Sequence, residues 1–232
     1  GTGFSGWQIQ PNARTVEGVV EEAFTTLYQQ PVDLIGQGRT DAGVHAMVQT
    51  AHADLPDTYP PERILHAMRG LLPDDAALLS IEKTDPQFHA RFAARSRRYR
   101  YDIHTRPSPL SRHTSWFVYG DLDKSILNQC AKKVEGERDF KNFCIPPDQE
   151  EMTTVCSIIR SEWEIRGIGL TYYIEGNRFL RHMVRRLVGS MIETARGKMA
   201  PEDFDQLLNG PEQNQKAFTA PAHGLFLMEV TY

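Results

Sequence analysis

The densest chemistry in this sequence lies in the run Gly38-Arg39-Thr40-Asp41-Ala42-Gly43-Val44-His45-Ala46. Glycines on both sides of Asp41 allow a tight loop in which the backbone can approach a ligand closely. Such a loop pushes a carboxylate outward, here with a cation, Arg39, two residues earlier. An ionised carboxylate held this way can act as a nucleophile or as a base. The same spacing also fits a plain polar turn in which Asp41 bonds backbone amides. A lone Asp in a glycine loop does not decide between the two.

Two further segments have a different character. Phe88-His89-Ala90-Arg91-Phe92 is followed by Arg95, Arg97, Arg98, Tyr99, Arg100 and Tyr101. Arginines interleaved with aromatics suit nucleic acid, because guanidinium groups bind phosphates and rings stack on exposed bases. If residues 97–103 form a strand, Arg97, Tyr99 and Tyr101 share one face and Arg98 and Arg100 the other. The alternative is an edge strand whose basic residues resist aggregation. In Asn177-Arg178-Phe179-Leu180-Arg181-His182-Met183-Val184-Arg185-Arg186, helical spacing would put Arg178, Arg181 and Arg185 on one face beside an apolar stripe. An arginine on that edge can hold a carboxylate in a bidentate pair. The plainer reading is a buried stem with a solvated head.

The two arginine islands stand on a chain whose formal net charge is −4. Basic islands on an acidic background can form a local site for a polyanion. No apolar run approaches the ~20 residues that span a bilayer. No secretory signal opens the sequence. The three cysteines, Cys130, Cys144 and Cys156, form no CxxC pair. That pattern argues against a disulfide scaffold and a zinc site, and fits buried thiols in a reducing cytoplasm. No phosphate-binding loop or dinucleotide fingerprint is present.

Apolar periodicity predicts helices over 15–28, 61–68, 124–135, 180–195 and 201–208, with Thr15 as an N-cap. Strands are expected over 78–83, 97–103, 161–166, 170–175 and 225–231, the third and fourth forming a hairpin near Gly167 and Gly169. Helices and strands alternate, yet hairpin signals are present. The expected class is therefore α+β with a mostly antiparallel or mixed central sheet flanked by helices, not a doubly wound parallel sheet. A boundary near residues 95–105 would divide it into two α/β halves, 1–96 and 97–232.

These segments together give the sequence a resemblance to the tRNA pseudouridine synthase A (TruA) family over nearly its whole length. The matching motifs occur in order. They are Phe4-Ser5-Gly6-Trp7-Gln8, Gly38 to Ala46, Phe88 to Phe92, Arg97-Arg98-Tyr99, Phe179 to Gly189 around Met183-Val184-Arg185, and Ala220-Pro221-Ala222-His223-Gly224-Leu225. The resemblance implies an isomerase that converts uridines at positions 38–40 of the tRNA anticodon arm to pseudouridine. It also implies two pseudo-symmetric halves around a central sheet with the active-site cleft between them, a homodimer, and no cofactor or metal. It places the catalytic aspartate at Asp41, the active-site tyrosine at Tyr99 and a partner arginine at Arg185. Tyr99 would stack on the uracil and assist removal of the C5 proton, and Leu227 would give the substrate pocket an apolar wall. RNA contacts would come from Arg39, Phe88, His89, Ala90, Arg91, Phe92, Arg95, Arg97 and Arg181.

Two departures from the family pattern stand out. Family members usually carry a strand ahead of the first motif, and this sequence starts inside that motif, so a sheet position is expected to lack protection. The loop 146–152 carries Asp148-Gln149-Glu150-Glu151 where some relatives have basic residues, and no RNA contact is assigned to it.

Three other readings make distinguishable claims. An RNA-binding protein of another class would use the arginine islands and leave Asp41 idle. An enzyme using Asp41 on a small substrate, such as a phosphatase, would need a metal-binding carboxylate cluster, and the nearest acids, Asp33 and Asp54, lack ligand spacing. A pseudouridine synthase acting on a different RNA would keep the chemistry and change the substrate.

Overall fold

A computed structural model describes residues 1–146, 153–167, 169–211 and 217–232. The acidic residues 148–151 lie outside the described residues. In chain order the helices and strands are α1 (Val16–Tyr28), β1 (Ile35–Gly36), β2 (His45–Ala46), β3 (Ala51–His52), α2 (Pro61–Leu71), β4 (Ser96–His104), β5 (Trp116–Phe117), α3 (Lys124–Val134), β6 (Gly136–Asp139), β7 (Val155–Arg166), β8 (Gly169–Gly176), α4 (Met183–Ala195), α5 (Pro201–Asn209) and β9 (Leu225–Thr231). No helix among the described residues is long and apolar enough to cross a membrane.

The chain forms two compact units. The first comprises Gly1–Gly43 and Gln49–Ala94. In it α1 starts where Thr15 accepts the Gly18 amide, and it ends at Gln29 in the left-handed region. That side-chain bond satisfies one of the amides that a helix start leaves without a partner. Ala23 and Phe24 of α1 pack with Val32, Leu34, Ile64 and Met68 into a small core. β1 and β3 pair antiparallel, Ile35 opposite His52. The expected strand over 78–83 is absent: these residues belong to no ladder, while Leu78 and Ile81 pack singly on the core. Apolar alternation reports which side chains are buried, whereas a strand also needs a partner backbone.

The second unit comprises Val44–Val48 and Arg95–Tyr232. Its strands form a mixed seven-stranded sheet in the order β2-β9-β4-β8-β7-β6, with β5 on the end of β4. The β2–β9 and β4–β5 pairs are parallel, and the remaining pairs are antiparallel. β7 and β8 form the expected hairpin, Arg166 opposite Gly169, and Gly167 takes a φ of 58°. Helices α3, α4 and α5 pack with the sheet around Tyr101, Tyr172, Ile174, Met183, Leu187, Met191 and Phe204. Asp123 caps α3 by accepting the Ser125 and Ile126 amides at 2.8 and 3.1 Å. Trp163 of β7 donates its indole N–H to the Met191 sulfur of α4 at 3.4 Å.

The three cysteines are buried, and none is in a disulfide. Burial pushes the thiols of Cys130 and Cys156 up to about 11, which keeps them protonated and unreactive near neutrality.

Candidate active site

The loop around Asp41 is held from below by the chain's first motif. Trp7 donates its amide to the Thr40 carbonyl at 3.1 Å, and Gly43 donates its amide to the Phe4 carbonyl at 3.2 Å. Gly6 has a φ of 95°, and a Cβ there would meet the Thr40 carbonyl oxygen at 2.6 Å. Gly43 also sits at positive φ, 78°. Both positions therefore favour glycine, one for close approach and one for backbone conformation. The first motif is itself tied to α1. Glu17 accepts from the Trp7 indole at 3.1 Å and from the Ile9 amide at 2.8 Å, and Val16 donates its amide to the Gly6 carbonyl at 3.1 Å. The Trp7 ring packs against Gly36, where a Cβ would lie 2.6 Å from it. Asp41 is half-buried on this frame and Arg39 is exposed. Beyond the loop, Gln37 donates to the Gln49 side chain at 2.9 Å, and Gln49 donates to the Gly38 carbonyl at 3.0 Å.

Also in the first unit, residues 88–92 form a compact turn bearing rings. Phe92 is 77 % exposed, with the Arg91 guanidinium 5.7 Å from its ring centroid. His89 packs against Phe92 at 4.3 Å. Ala90 has no exposed surface, which corrects the expectation that it contacts RNA. Its small side chain instead lets the turn close on the unit beneath it.

In the second unit, Tyr99 lies on the central strand β4, between Ile174 of β8 and Leu227 of β9, with Ala46 of β2 opposite Leu227. A register shift in the β4–β9 pairing falls between Arg98 and Tyr99. Phe179 meets Tyr99 edge-on at 5.1 Å. Leu227 is fully buried. Because β4 is central, its arginines are not edge guards. Arg98 pairs with Glu229, and Arg100 pairs with Asp102 at 3.0 Å and lies over the Phe226 ring at 4.6 Å. Arg97 donates to the Asn177 carbonyl at 2.8 Å, and Arg95 is exposed.

Arg185 sits in the first turn of α4. Its Nε donates to the Ala220 carbonyl at 2.9 Å, and Ala220 returns its amide to the Arg185 carbonyl at 3.0 Å. The 218–220 segment reaches α4 because Gly189 has no side chain: a Cβ there would fall 2.2 Å from the Phe218 carbonyl oxygen. The helix starts at Met183 instead of Leu180, since His182 adopts φ 64° and ψ 0°. Arg178 and Arg181 therefore precede the helix and do not share its face with Arg185, contrary to the spacing argument. Arg181 is exposed, and its carbonyl accepts the Ile145 amide at 3.1 Å.

Two histidines escaped the sequence reading. His45 stacks on Phe226 at 4.7 Å and donates from Nε2 to the His113 carbonyl at 2.8 Å, anchoring β2. His52 touches the 88–92 turn. The signal available for both was their place in and just after the Asp41 motif.

A half-buried carboxylate on a glycine-framed loop, a tyrosine at mid-sheet and an arginine fixed at a helix start accompany an α+β fold with exposed aromatic and basic residues. The comparisons with known proteins agree with that class. The model of a family described as tRNA pseudouridine synthase matches residues 1–93 and 130–232. A tRNA pseudouridine synthase A of Solidesulfovibrio magneticus is 40% identical, covering 100% of this chain and 88% of the relative. Proteins of the same name from Geobacter sulfurreducens and Bacillus subtilis are 39% and 36% identical, covering 100% and 99% of this chain and 96% and 94% of the relatives. The chain belongs to the tRNA pseudouridine synthase family, whose members are isomerases.

Proposed function

We propose that this protein isomerises uridines at positions 38–40 of the tRNA anticodon arm to pseudouridine, with Asp41 as the catalytic carboxylate. The observation that carries the reading is the double clamp on the Asp41 loop, Trp7 on Thr40 and Phe4 on Gly43, in a chain of this family. A side chain meant to react must be held still, and backbone bonds on both sides of residue 41 do that.

The reaction breaks the bond from C1′ to N1, turns the uracil, and joins C1′ to C5. C5 loses a proton and N1 gains one, so no redox change occurs. Asp41 begins the reaction at the ribose. Arg185, whose Nε is already directed by Ala220, has the role of partner arginine to the reacting carboxylate. Tyr99 stacks on the uracil and assists loss of the C5 proton, with Phe179 setting its ring. Leu227, fully buried and opposite Tyr99 across the β4–β9 pair, supplies an apolar wall behind the pocket, not surface within it. The target base must leave its stack, at a cost of a few kcal/mol. Contacts from Arg39, Phe88, His89, Arg91, Phe92, Arg95, Arg97 and Arg181 to the RNA offset that cost. The protein works in the cytoplasm as a homodimer.

Release of tritium from tRNA labelled at uridine C5, followed by mapping of the modified positions, tests the reading. Release confined to the anticodon arm supports it. Binding of tRNA without release would instead indicate an RNA-binding protein of another kind, and release from other positions a different target.

A further inference from the structure

His52 lies outside every motif assigned so far, yet it is the residue on which the 88–92 turn is built. It sits on β3, and its Nδ1 accepts the Ala90 amide at 3.2 Å. A neutral ring accepting at Nδ1 carries its proton on Nε2. The His52 ring packs against His89 at 4.8 Å and meets Phe88 edge-on at 6.2 Å. His89 repeats the arrangement one step outward. Its Nδ1 faces the amides of Arg91 and Phe92 at 3.2 and 3.4 Å, and its ring packs against Phe92 at 4.3 Å. The rings thus run from β3 to the surface in the order His52, His89, Phe92, and imidazole nitrogens accept three consecutive backbone amides. Phe92 ends the series with most of its ring in solvent.

An apolar ring held in fixed geometry but left largely in water is poorly placed for folding and well placed for stacking on an unpaired base. The basic group over it, Arg91, suits the neighbouring phosphate. We infer that His52 is a positioning residue for tRNA binding, presenting Phe92, through Ala90 and His89, as a stacking platform for an unpaired base. The inference rests on the reading of this turn as RNA-facing.

The test is a double-mutant cycle on the dissociation constant for tRNA, using Phe92→Ala, His52→Phe and the pair. Phe92→Ala should weaken binding on the order of tenfold, the loss of one stacked base. His52→Phe keeps an aromatic ring and loses the acceptor, and should weaken binding to a similar degree. The pair should be no weaker than either alone, because both remove the same platform. His52→Asn, which restores an acceptor, should recover most of the affinity. If the losses multiply, or if His52→Phe binds as the wild type does, the inference is overturned while the RNA-facing reading stands. If Phe92→Ala itself binds as tightly as wild type, both fall together. Hydrogen exchange on the unaltered protein covers the case in which His52→Phe does not fold. The Ala90 amide should be protected, and exchange at the rate of an unfolded peptide would overturn the inference.

Discussion

Gly6 and Thr40 pass so closely that a Cβ on Gly6 would lie 2.6 Å from the Thr40 carbonyl oxygen. Real side-chain carbons do not approach backbone oxygen that closely, and Gly6 also holds a φ of 95°. The loop that carries Asp41 therefore depends on the absence of a side chain thirty-odd residues away. Gly6→Ala should cost about 1–3 kcal/mol in stability from backbone conformation alone. It should also lower turnover far more than tRNA affinity, because the displaced element is the carboxylate loop. Thermal unfolding and single-turnover tritium release, measured together, check this. A variant with normal turnover would show that the contact is incidental.

Gly189 plays the corresponding part for Arg185. Its Cβ would fall 2.2 Å from the Phe218 carbonyl oxygen, so Gly189→Ala must push the 218–220 segment away from α4. The Ala220 carbonyl that directs Arg185 moves with it. Turnover should fall at least about tenfold, the effect of losing roughly one charge-assisted hydrogen bond, here from Arg185 to the Ala220 carbonyl. Steady-state kinetics at saturating tRNA provide the check, with unfolding measured in parallel to confirm that the fold persists.

Burial holds the imidazoles of His45 and His223 below their ordinary value of 6.5. The unfolded chain therefore binds protons at these rings that the folded chain does not. Their contribution to stability is complete above about pH 6.5 and is lost as pH falls toward the depressed folded values. Urea midpoints should accordingly fall between about pH 7.5 and about pH 5.5, above the range where carboxylates titrate. His45→Gln should reduce that slope. A midpoint that rises on acidification contradicts the account.

The proposed function gives Tyr99 two separable duties. Tyr99→Phe keeps the ring that meets Phe179 and loses the hydroxyl. It should bind tRNA normally and slow tritium release by roughly a hundredfold, the usual scale of acid–base assistance. A normal rate in rapid-quench experiments would reduce Tyr99 to a stacking platform.

Much of this architecture was legible in the sequence, for identifiable reasons. The helix Val16–Tyr28 announced itself through its capping residue Thr15 and an apolar stripe, and Lys124–Val134 through its apolar stripe. The hairpin at Gly167 did so through strand patterning around glycines. The readings that failed turned on information that is not local. Residues 78–83 have strand-like alternation but no ladder. The 180–195 stripe continued past the true helix start because His182 breaks the backbone at positive φ with a residue that gives little warning. Ala90 shared a segment with exposed aromatic and basic residues, and only the packed turn shows that it is buried. The roles of Gly6, Glu17 and His52 were invisible for the same reason: each acts on a residue far along the chain.

The most direct measurement is single-turnover tritium release from C5-labelled uridine in tRNA by Asp41→Asn, with tRNA binding measured on the same preparation. The substitution keeps size and shape and removes the negative charge. The account predicts normal binding, a cooperative fold and no detectable release. Release at a substantial fraction of the wild-type rate would contradict it.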